Sequence, residues 1–280
     1  MSGTVVLIVL FAAFLNASWN AVVKSDGDKF LNSVLVVGCA GLIAGIALVF
    51  LSPPARESWP YLAVSGVAQV IYFSLIIAAY RAGDMSQAYP VMRGTAPLLV
   101  ALASGPLIGE VLSTQKWFGI ALICGGVLAL TLEGRRRNTG GNAAIWFALL
   151  NAFFIATYTV IDGIGVRKSG NAASYTMWVF VLNAIPMVLW AVVMRPGQLL
   201  PHLKGRVKLA VIGGVGTLGS YGLALWAMTL APVSTVAALR ETSIIFAVAI
   251  SAFVLKERIG WPRLVAVALI MAGAVIMRAV

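Results

Sequence analysis

The amino-acid sequence predicts an all-α polytopic membrane protein with ten transmembrane helices, arranged as two inverted five-helix repeats around a central cavity. Of the 280 residues, 61% are hydrophobic and 10% are charged, and the mean hydropathy is +0.97. Soluble domains do not have this composition. Apolar runs of about 20 residues, the length that crosses a hydrocarbon core of about 30 Å, recur throughout the chain. The third observation is an internal repeat of polar residues that are otherwise scarce.

Short separators with turn residues or charges divide the chain into ten apolar runs. The predicted spans are 4–23, 31–52, 60–80, 86–108, 115–133, 143–163, 173–194, 207–230, 233–255 and 261–279. The first run is long, and Met1 to Gly3 include no basic residue, so we expect a retained span and not a signal peptide. At Ala231 and Pro232 two spans nearly touch, and one long helix is the alternative there.

Lysine and arginine are distributed unequally between the loops, and cytoplasmic loops are the ones that collect them. Thirteen lie in odd-numbered loops and five lie on the other side. We therefore predict a protein of the inner (plasma) membrane with cytoplasmic odd-numbered loops and both termini outside. The net charge of +11 follows from this bias. A nucleic-acid partner is not expected, because the cations form no patch with an aromatic platform.

The second half of the chain repeats polar residues of the first half at an offset of 147 residues. At this offset Arg93 aligns with Arg240, and Glu110 aligns with Glu257. These matches are informative because charged residues are rare in this composition.

The repeat predicts two domains, 1–137 and 141–280, with five spans each. An odd number of spans forces the second domain to enter the membrane from the opposite side. Inverted repeats of this kind are the architecture of many secondary transporters, which bind their substrates near the midplane between the repeats.

Several motifs within the repeat resemble those of a known family. In the first half they are the run Ala78 to Gly83, a helix with Pro90 and Pro97, the pair Gly109 and Glu110, and the glycines at 119, 125 and 126. Their counterparts in the second half are Ala227 to Pro232, Lys256 and Glu257, and Gly273. Over essentially its full length the chain resembles the drug/metabolite transporter superfamily, EamA family. The resemblance implies ten helices in two inverted EamA repeats and export of small metabolites without a nucleotide-driven motor.

Arg93 and Arg240 lie in the middle of apolar runs at matching positions of the two repeats. A guanidinium at bilayer depth costs several kcal/mol unless it faces protein or water, so such residues indicate a functional site. Both arginines are candidates for binding a substrate carboxylate, which guanidinium binds bidentately. A structural ion pair between Arg93 and Glu241 is the alternative, with Glu241 joining the two repeats.

Helical spacing identifies the side chains expected to line the cavity. Asn16, Trp19 and Asn20 share one face of the first span, where substrate binding and hydrogen bonding between helices are alternative roles. The aromatic candidates for cavity walls, for which packing is the alternative role, are Tyr72, Tyr89, Tyr158, Tyr221 and Trp226. Aromatic walls beside a cation suit a ligand with a carboxylate and a flat or bulky apolar group.

Acidic residues near the ends of spans are candidates for gates. Glu110 and Glu257 could form gate salt bridges, with Lys116 and Arg263 as partners, or could be solvated loop charges. Asp162 is interpreted as a residue of the water interface, with a buried role as the alternative.

The sequence lacks the motifs of several other protein classes. It has no phosphate-binding loop for an ATP-driven motor, no residues at metal-ligand spacing, and no catalytic constellation. We therefore expect neither an enzyme nor a cofactor. We expect a monomer in the lipid bilayer that exports a small-molecule substrate by alternating access. Within the family, the aromatic residues resemble those of exporters of aromatic or large neutral amino acids. The alternative is a phosphorylated-sugar or nucleotide-sugar carrier, or another drug or metabolite efflux protein.

Overall fold

The computed structural model describes residues 1–24, 28–83, 85–131, 142–253, 256 and 259–279, and this part of the chain contains helices and no strand. The helices are α1 (Gly3–Lys24), α2 (Lys29–Leu48), α3 (Trp59–Ala82), α4 (Met85–Ile108), α5 (Thr114–Ala129), α6 (Asn142–Lys168), α7 (Ala172–Met194), α8 (Leu199–Lys204), α9 (Val207–Met228), α10 (Val233–Arg240), α11 (Ser243–Phe253) and α12 (Trp261–Ala279). A 3₁₀ turn, Arg56–Ser58, precedes α3.

The helices have the lengths that a bilayer requires. Within the described ranges, nine helical stretches are long and apolar enough to cross a membrane, and α5 is a shorter apolar helix. The pair α10 and α11 forms one of these nine stretches. The predicted all-α polytopic membrane fold is therefore confirmed. Pro232 separates α9 from α10 with an extended backbone, φ −57° and ψ 135°, so the two-span interpretation at this proline is correct.

Helices of the two halves pack together in a reciprocal pattern. α3 packs against α6, and its repeat-related counterpart α9 packs against α1. α2 packs against α7, and α5 packs against α12, so each of these helices contacts its own counterpart. A two-fold relation between inverted repeats produces this exchange of equivalent contacts. The two repeats are thus interlocked, and the space between them is bordered by both.

Side-chain caps fix where some of the spans begin. Asp28 Oδ1 accepts the backbone N–H groups of Phe30 and Leu31 at the start of α2, at 2.9 and 3.2 Å. At the start of α7, Asn171 Oδ1 accepts the N–H of Ser174 at 3.1 Å. These bonds satisfy N–H groups that have no carbonyl partner within the first helical turn.

The ninth span is interrupted at Glu241 and Thr242. The N–H of Glu241 donates to the carbonyl of Ala238 at 3.0 Å, and the N–H of Thr242 donates to that of Leu239 at 3.1 Å. This three-residue spacing is 3₁₀ geometry, and it separates α10 from α11. The sequence predicted one continuous span, 233–255, because neither proline nor glycine marks the interruption. Arg240 therefore ends one helix, and Ser243 begins the next.

Glycine allows α5 and α12 to approach closely. A Cβ atom on Gly126 would lie 2.9 Å from the carbonyl oxygen of Ala266 and 2.9 Å from Ile270 Cγ1. The adjacent Gly125 faces open space, and within the described part of the chain no such contact lies within 4 Å of a Cβ there. Two neighbouring glycines thus differ in whether they face the partner helix.

We expect Gly126→Ala to lower the free energy of unfolding by roughly 1 to 3 kcal/mol, the usual cost of forcing extra volume into a packed contact. Gly125→Ala is the matched control, and it should leave stability unchanged or raise it slightly because alanine favours the helix. Thermal unfolding of the purified variants in detergent measures both changes. Equal destabilisation by the two substitutions would contradict the role of the α5 and α12 contact.

Candidate binding cavity

A cavity of about 150 Å³ lies between the two repeats. Seven of the ten side chains that the sequence assigned to the cavity line it: Asn16, Trp19, Tyr72, Arg93, Tyr158, Tyr221 and Arg240. These residues come from α1, α3 and α4 of the first repeat and from α6, α9 and α10 of the second. Both repeats therefore form the walls, and a movement of one repeat against the other would change the shape of the cavity.

Arg93 forms an ion pair with Glu241 of the opposite repeat. Arg93 Nε lies 3.0 Å from Glu241 Oε2, and the two side chains are 19% and 6% exposed. Arg93 Nη2 also donates a hydrogen bond to Ser243 Oγ at 3.3 Å, at the start of α11. The pairing proposed from the sequence is present. Because a carboxylate already neutralises Arg93, this arginine has less capacity for a second anion.

Arg240 has a different environment. Its guanidinium carbon lies 4.9 Å from the ring centre of Tyr221, within the range of a cation–π interaction. Among the described residues, no carboxylate oxygen lies within 4 Å of the Arg240 guanidinium. Arg240 is the last residue of α10, and the carbonyl end of a helix favours a cation. This charge is available to an anion that enters the cavity.

Tyrosine rings form one wall as an edge-to-face series. The ring centres of Tyr72 and Tyr158 are 5.8 Å apart, and those of Tyr158 and Tyr221 are 6.4 Å apart. Phe180, which the sequence analysis did not select, packs against Tyr221 at 6.3 Å and also lines the cavity. Each ring restrains the next, so the wall presents a rigid aromatic surface to an apolar group of a ligand.

Two buried polar atoms at the cavity have no hydrogen-bond partner within the part of the chain that the structure describes. They are Trp19 Nε1, a donor, and Asn183 Oδ1, an acceptor. Asn183 Nδ2 donates to Gln69 Oε1, so its amide is oriented and its oxygen remains available. An unsatisfied buried polar group costs about 1 to 3 kcal/mol, which a ligand that bonds to it would recover. Sequence reasoning missed Asn183, although a lone amide in the apolar α7 was a usable signal.

Asn20 and Tyr89 do not line the cavity. Asn20 Nδ2 donates to the backbone carbonyl of Asn16 at 2.7 Å, so this amide bonds within its own helix. It therefore fixes the backbone beneath Asn16 and does not offer its N–H groups to a ligand. Tyr89 is half-buried one turn before Arg93 on α4, outside the cavity lining.

Trp226 also lies outside the cavity, which corrects its assignment as a cavity wall. Its side chain is 40% exposed, and it is absent from the cavity lining. The physical reason is helical geometry, since five residues rotate a side chain by about 140° around the axis. Tyr221 faces the cavity, so Trp226 points to a different side of α9.

Asp162 is fully buried, so its interpretation as a residue of the water interface was wrong. Tyr175 Oη donates to Asp162 Oδ1 at 3.0 Å, and Tyr221 Oη donates to Oδ2 at 2.6 Å. Tyr221 thus contacts Asp162 through its hydroxyl group and Arg240 through its ring.

Glu110 caps the start of α10. Its Oε1 accepts the N–H of Val233 at 2.6 Å, and its Oε2 accepts the N–H and the hydroxyl of Ser234 at 3.2 and 2.8 Å. A carboxylate is favourable at a helix N-terminus, where N–H groups lack intrahelical partners. A residue of the first repeat therefore holds a helix of the second.

Arg167 at the end of α6 completes this contact. Its Nη2 lies 3.1 Å from Glu110 Oε1, and its Nε donates to the carbonyl of Met228, the last residue of α9, at 2.7 Å. The partner of Glu110 is thus Arg167, and the suggested pair with Lys116 was wrong because the carboxylate turns toward α10. We call Glu110, Arg167, Val233 and Ser234 the Glu110 latch. Glu257, the repeat-related gate candidate, lies outside the described residues.

The fold and the cavity define a class, that of polytopic helical membrane proteins with a polar, ligand-sized cavity between two inverted repeats. A model of the EamA-like transporter family matches residues 3–132 and, separately, residues 142–279. The chain therefore belongs to the EamA-like transporter family.

Named relatives agree with this assignment. An uncharacterized transporter from Synechocystis sp. is 23% identical over 263 residues, which cover 85% of this chain and 77% of the relative. An uncharacterized transporter from Sinorhizobium sp. is 26% identical over 115 residues, 40% of this chain and 80% of the relative. A solved crystal structure aligns with a TM-score of 0.77 at 20% identity over 99% of this chain and 96% of the other, which shows the same fold.

Proposed function

We propose that this protein is a secondary transporter of the inner membrane that exports aromatic or large neutral amino acids as a monomer by alternating access. The observation that carries the proposal is Arg240. It lines the cavity, and among the residues described no carboxylate oxygen is within 4 Å of its guanidinium. A guanidinium binds a carboxylate through two parallel N–H···O bonds, so Arg240 suits the carboxylate that every amino acid carries.

The remaining walls complement the other parts of an amino acid. The tyrosine series Tyr72, Tyr158 and Tyr221 offers an aromatic surface to an apolar side chain. Asn183 Oδ1 is an acceptor for an ammonium group, and Trp19 Nε1 is a donor for a second carboxylate oxygen. One arginine, one acceptor and an aromatic wall match the three groups of a zwitterionic substrate.

Size and charge favour an amino acid over the alternative substrates. A cavity of about 150 Å³ is comparable to one that binds benzene, and it is smaller than the roughly 300 to 1,000 Å³ pockets of drug-sized ligands. A nucleotide sugar therefore does not fit this cavity. A phosphate dianion needs two cations, but Glu241 already neutralises Arg93. Only Arg240 is left for the substrate, which suits a single carboxylate.

Alternating access requires a contact that closes one end of the cavity and can be broken. The Glu110 latch joins the end of α4 to α6, α9 and α10 through charge-assisted hydrogen bonds. It lies at the end of the bundle that carries the even-numbered loops, which the Lys and Arg distribution predicts to be outside. We infer that the latch closes the outer exit and that release of substrate requires its opening.

We expect Glu110→Gln to increase access to the cavity from outside by about tenfold. Hydrogen bonds to a charged group contribute about 1.5 to 3 kcal/mol, and a loss of 1.4 kcal/mol changes an equilibrium tenfold. Access is measured as the rate at which a membrane-impermeant maleimide labels Thr217→Cys, a cavity position, in protein whose Cys39 and Cys124 are replaced by alanine.

Glu57→Gln is the matched control, because Glu57 is exposed beside α3 and the substitution removes the same charge. It should label at the rate of the parent protein. If Glu110→Gln also labels at the parent rate, the latch is a static cap and the gating proposal is wrong.

Uptake into liposomes tests the proposed substrate. Purified protein is reconstituted, and counterflow of labelled Leu, Phe, Trp and Met is compared with that of a sugar phosphate. Saturable counterflow of the amino acids supports the proposal. Uptake of the sugar phosphate alone would retain the transporter class and overturn the substrate. Uptake of neither would reject both substrate classes.

A further inference from the structure

Asp162 is a buried carboxyl group without a cationic partner. Its side chain is 0% exposed, and over the described part of the chain no Lys or Arg nitrogen lies within 4 Å of its oxygens. Glu241, the other buried acid of this region, is neutralised by Arg93. An isolated buried carboxylate is costly, and the usual ways to lower the cost are hydrogen bonds and protonation. Asp162 is placed for both.

The partners of Asp162 suit either protonation state. Tyr175 and Tyr221 donate their hydroxyl protons to the two carboxylate oxygens at 3.0 and 2.6 Å. A phenol is both a donor and an acceptor, so either hydroxyl can rotate and accept the proton of a neutral carboxylic acid. Gly165, on the same helix, leaves the space that the Tyr175 hydroxyl occupies. The site can therefore gain and lose a proton without leaving a buried polar atom unpaired.

Polar side chains connect this carboxyl group to the cavity by two routes. Tyr221 lines the cavity and binds Asp162 directly. On the other route, the hydroxyl of Ser65 bonds to Asp162, and Gln69 Nε2 donates to Ser65 Oγ at 2.9 Å. Gln69 lines the cavity. A proton that enters the cavity from water thus has hydrogen-bonding groups along its path to Asp162.

The charges around Asp162 link it to the substrate site. The groups that face it are Ser65 on α3, Tyr158 on α6, Tyr175 on α7, Tyr221 on α9 and Arg240 on α10. Arg240 is the cation of this set, and it contacts the ring of the tyrosine that binds Asp162. The charge on α4, Arg93, is paired with Glu241. A substrate carboxylate on Arg240 changes the field at Asp162, so proton binding and substrate binding are thermodynamically linked.

We propose that Asp162 is the proton-binding site that couples transport to a pH gradient. The inference rests on the proposed transport function and adds an energy source to it. A proton from water on one side adds to the carboxylate to give the carboxylic acid, and in another state of the cycle it returns to water on the opposite side. No covalent bond of the substrate changes.

Labelled leucine is the probe for the test, with protein reconstituted in liposomes. Two quantities are measured: leucine exchange at equal pH on both sides, and net leucine movement driven by an imposed pH gradient. Wild-type protein should show both. Asp162→Asn should keep exchange within about threefold of wild type, because Asp162 does not line the cavity, and should lose the response to the gradient. Asp162→Glu should restore part of the response, and Glu57→Gln, an exposed charge change, should match wild type.

The outcomes separate this inference from the proposed function. Exchange by wild type without any response to the gradient would overturn the proton site and leave amino acid transport standing. A normal gradient response by Asp162→Asn would overturn it as well. If leucine is not exchanged at all, infrared difference spectra recorded on a change of pH still test the site. A carboxyl band that Asp162→Asn removes would support it, and identical spectra of the two proteins would overturn it.

Discussion

Substitution of Arg240 by glutamine is expected to lower amino acid uptake by about 100-fold, within the 2 to 5 kcal/mol that removing one partner of a buried charge pair costs. Arg240 is the cavity cation that, in the described structure, has no carboxylate within 4 Å, so its loss removes the group that would bind the substrate carboxylate. Lysine keeps the charge but loses the planar fork, so Arg240→Lys should retain a small part of the activity. Initial rates of counterflow in liposomes measure both.

The structure also predicts that Arg240 variants remain folded. The interaction lost with Tyr221 is a cation–π contact of about 0.5 to 2 kcal/mol, and no buried carboxylate is left behind. Arg56→Gln is the control, since Arg56 is exposed and lies outside the cavity. Wild-type uptake by Arg240→Gln would contradict the binding role, because the same loss of charge at the surface should have no effect.

Much of the fold is predictable because the bilayer sets the length of each apolar run. The predicted span 173–194 matches α7, Ala172–Met194, and the predicted span 261–279 matches α12. The interruption at Glu241 was not predictable from the same pattern, because the flanking residues are apolar on both sides and no helix breaker is present. A 3₁₀ turn of this kind depends on hydrogen bonds such as that of Thr242 Oγ1 to the Leu239 carbonyl, 2.6 Å.

The candidate site was predictable to the extent that helical periodicity determines it. Arg93, Arg240 and Tyr158 are conspicuous because they interrupt apolar spans, and each lines the cavity. Asp162 was misinterpreted because it lies six residues before the end of α6, next to basic residues, which resembles an interface. Its burial is set by two tyrosines that are 13 and 59 residues away in the chain, which no local pattern reveals.

Substitution of Arg93 by alanine is expected to lower the free energy of unfolding by about 3 to 5 kcal/mol, because it leaves the 6%-exposed Glu241 carboxylate without its cation. Thermal unfolding in detergent measures the loss. Arg195→Ala is the matched control, since the pair of Arg195 with Asp28 also joins the two repeats but is solvent-exposed, at 46% and 34%, with a distance of 3.7 Å. An exposed pair contributes about 0 to 1 kcal/mol, so this variant should unfold close to the wild-type temperature.

The double variant Arg93→Gln with Glu241→Gln separates the structural role of this pair from a role in transport. Two amides can hydrogen-bond to each other without a buried charge, so we expect the double variant to regain most of the lost stability. We expect its transport to stay below about a tenth of wild type, because Arg93 also lines the cavity and bonds to Ser243 at the start of α11. Recovery of both stability and transport would show that the pair only holds the repeats together, and Arg240 would then be the single arginine that reads the substrate.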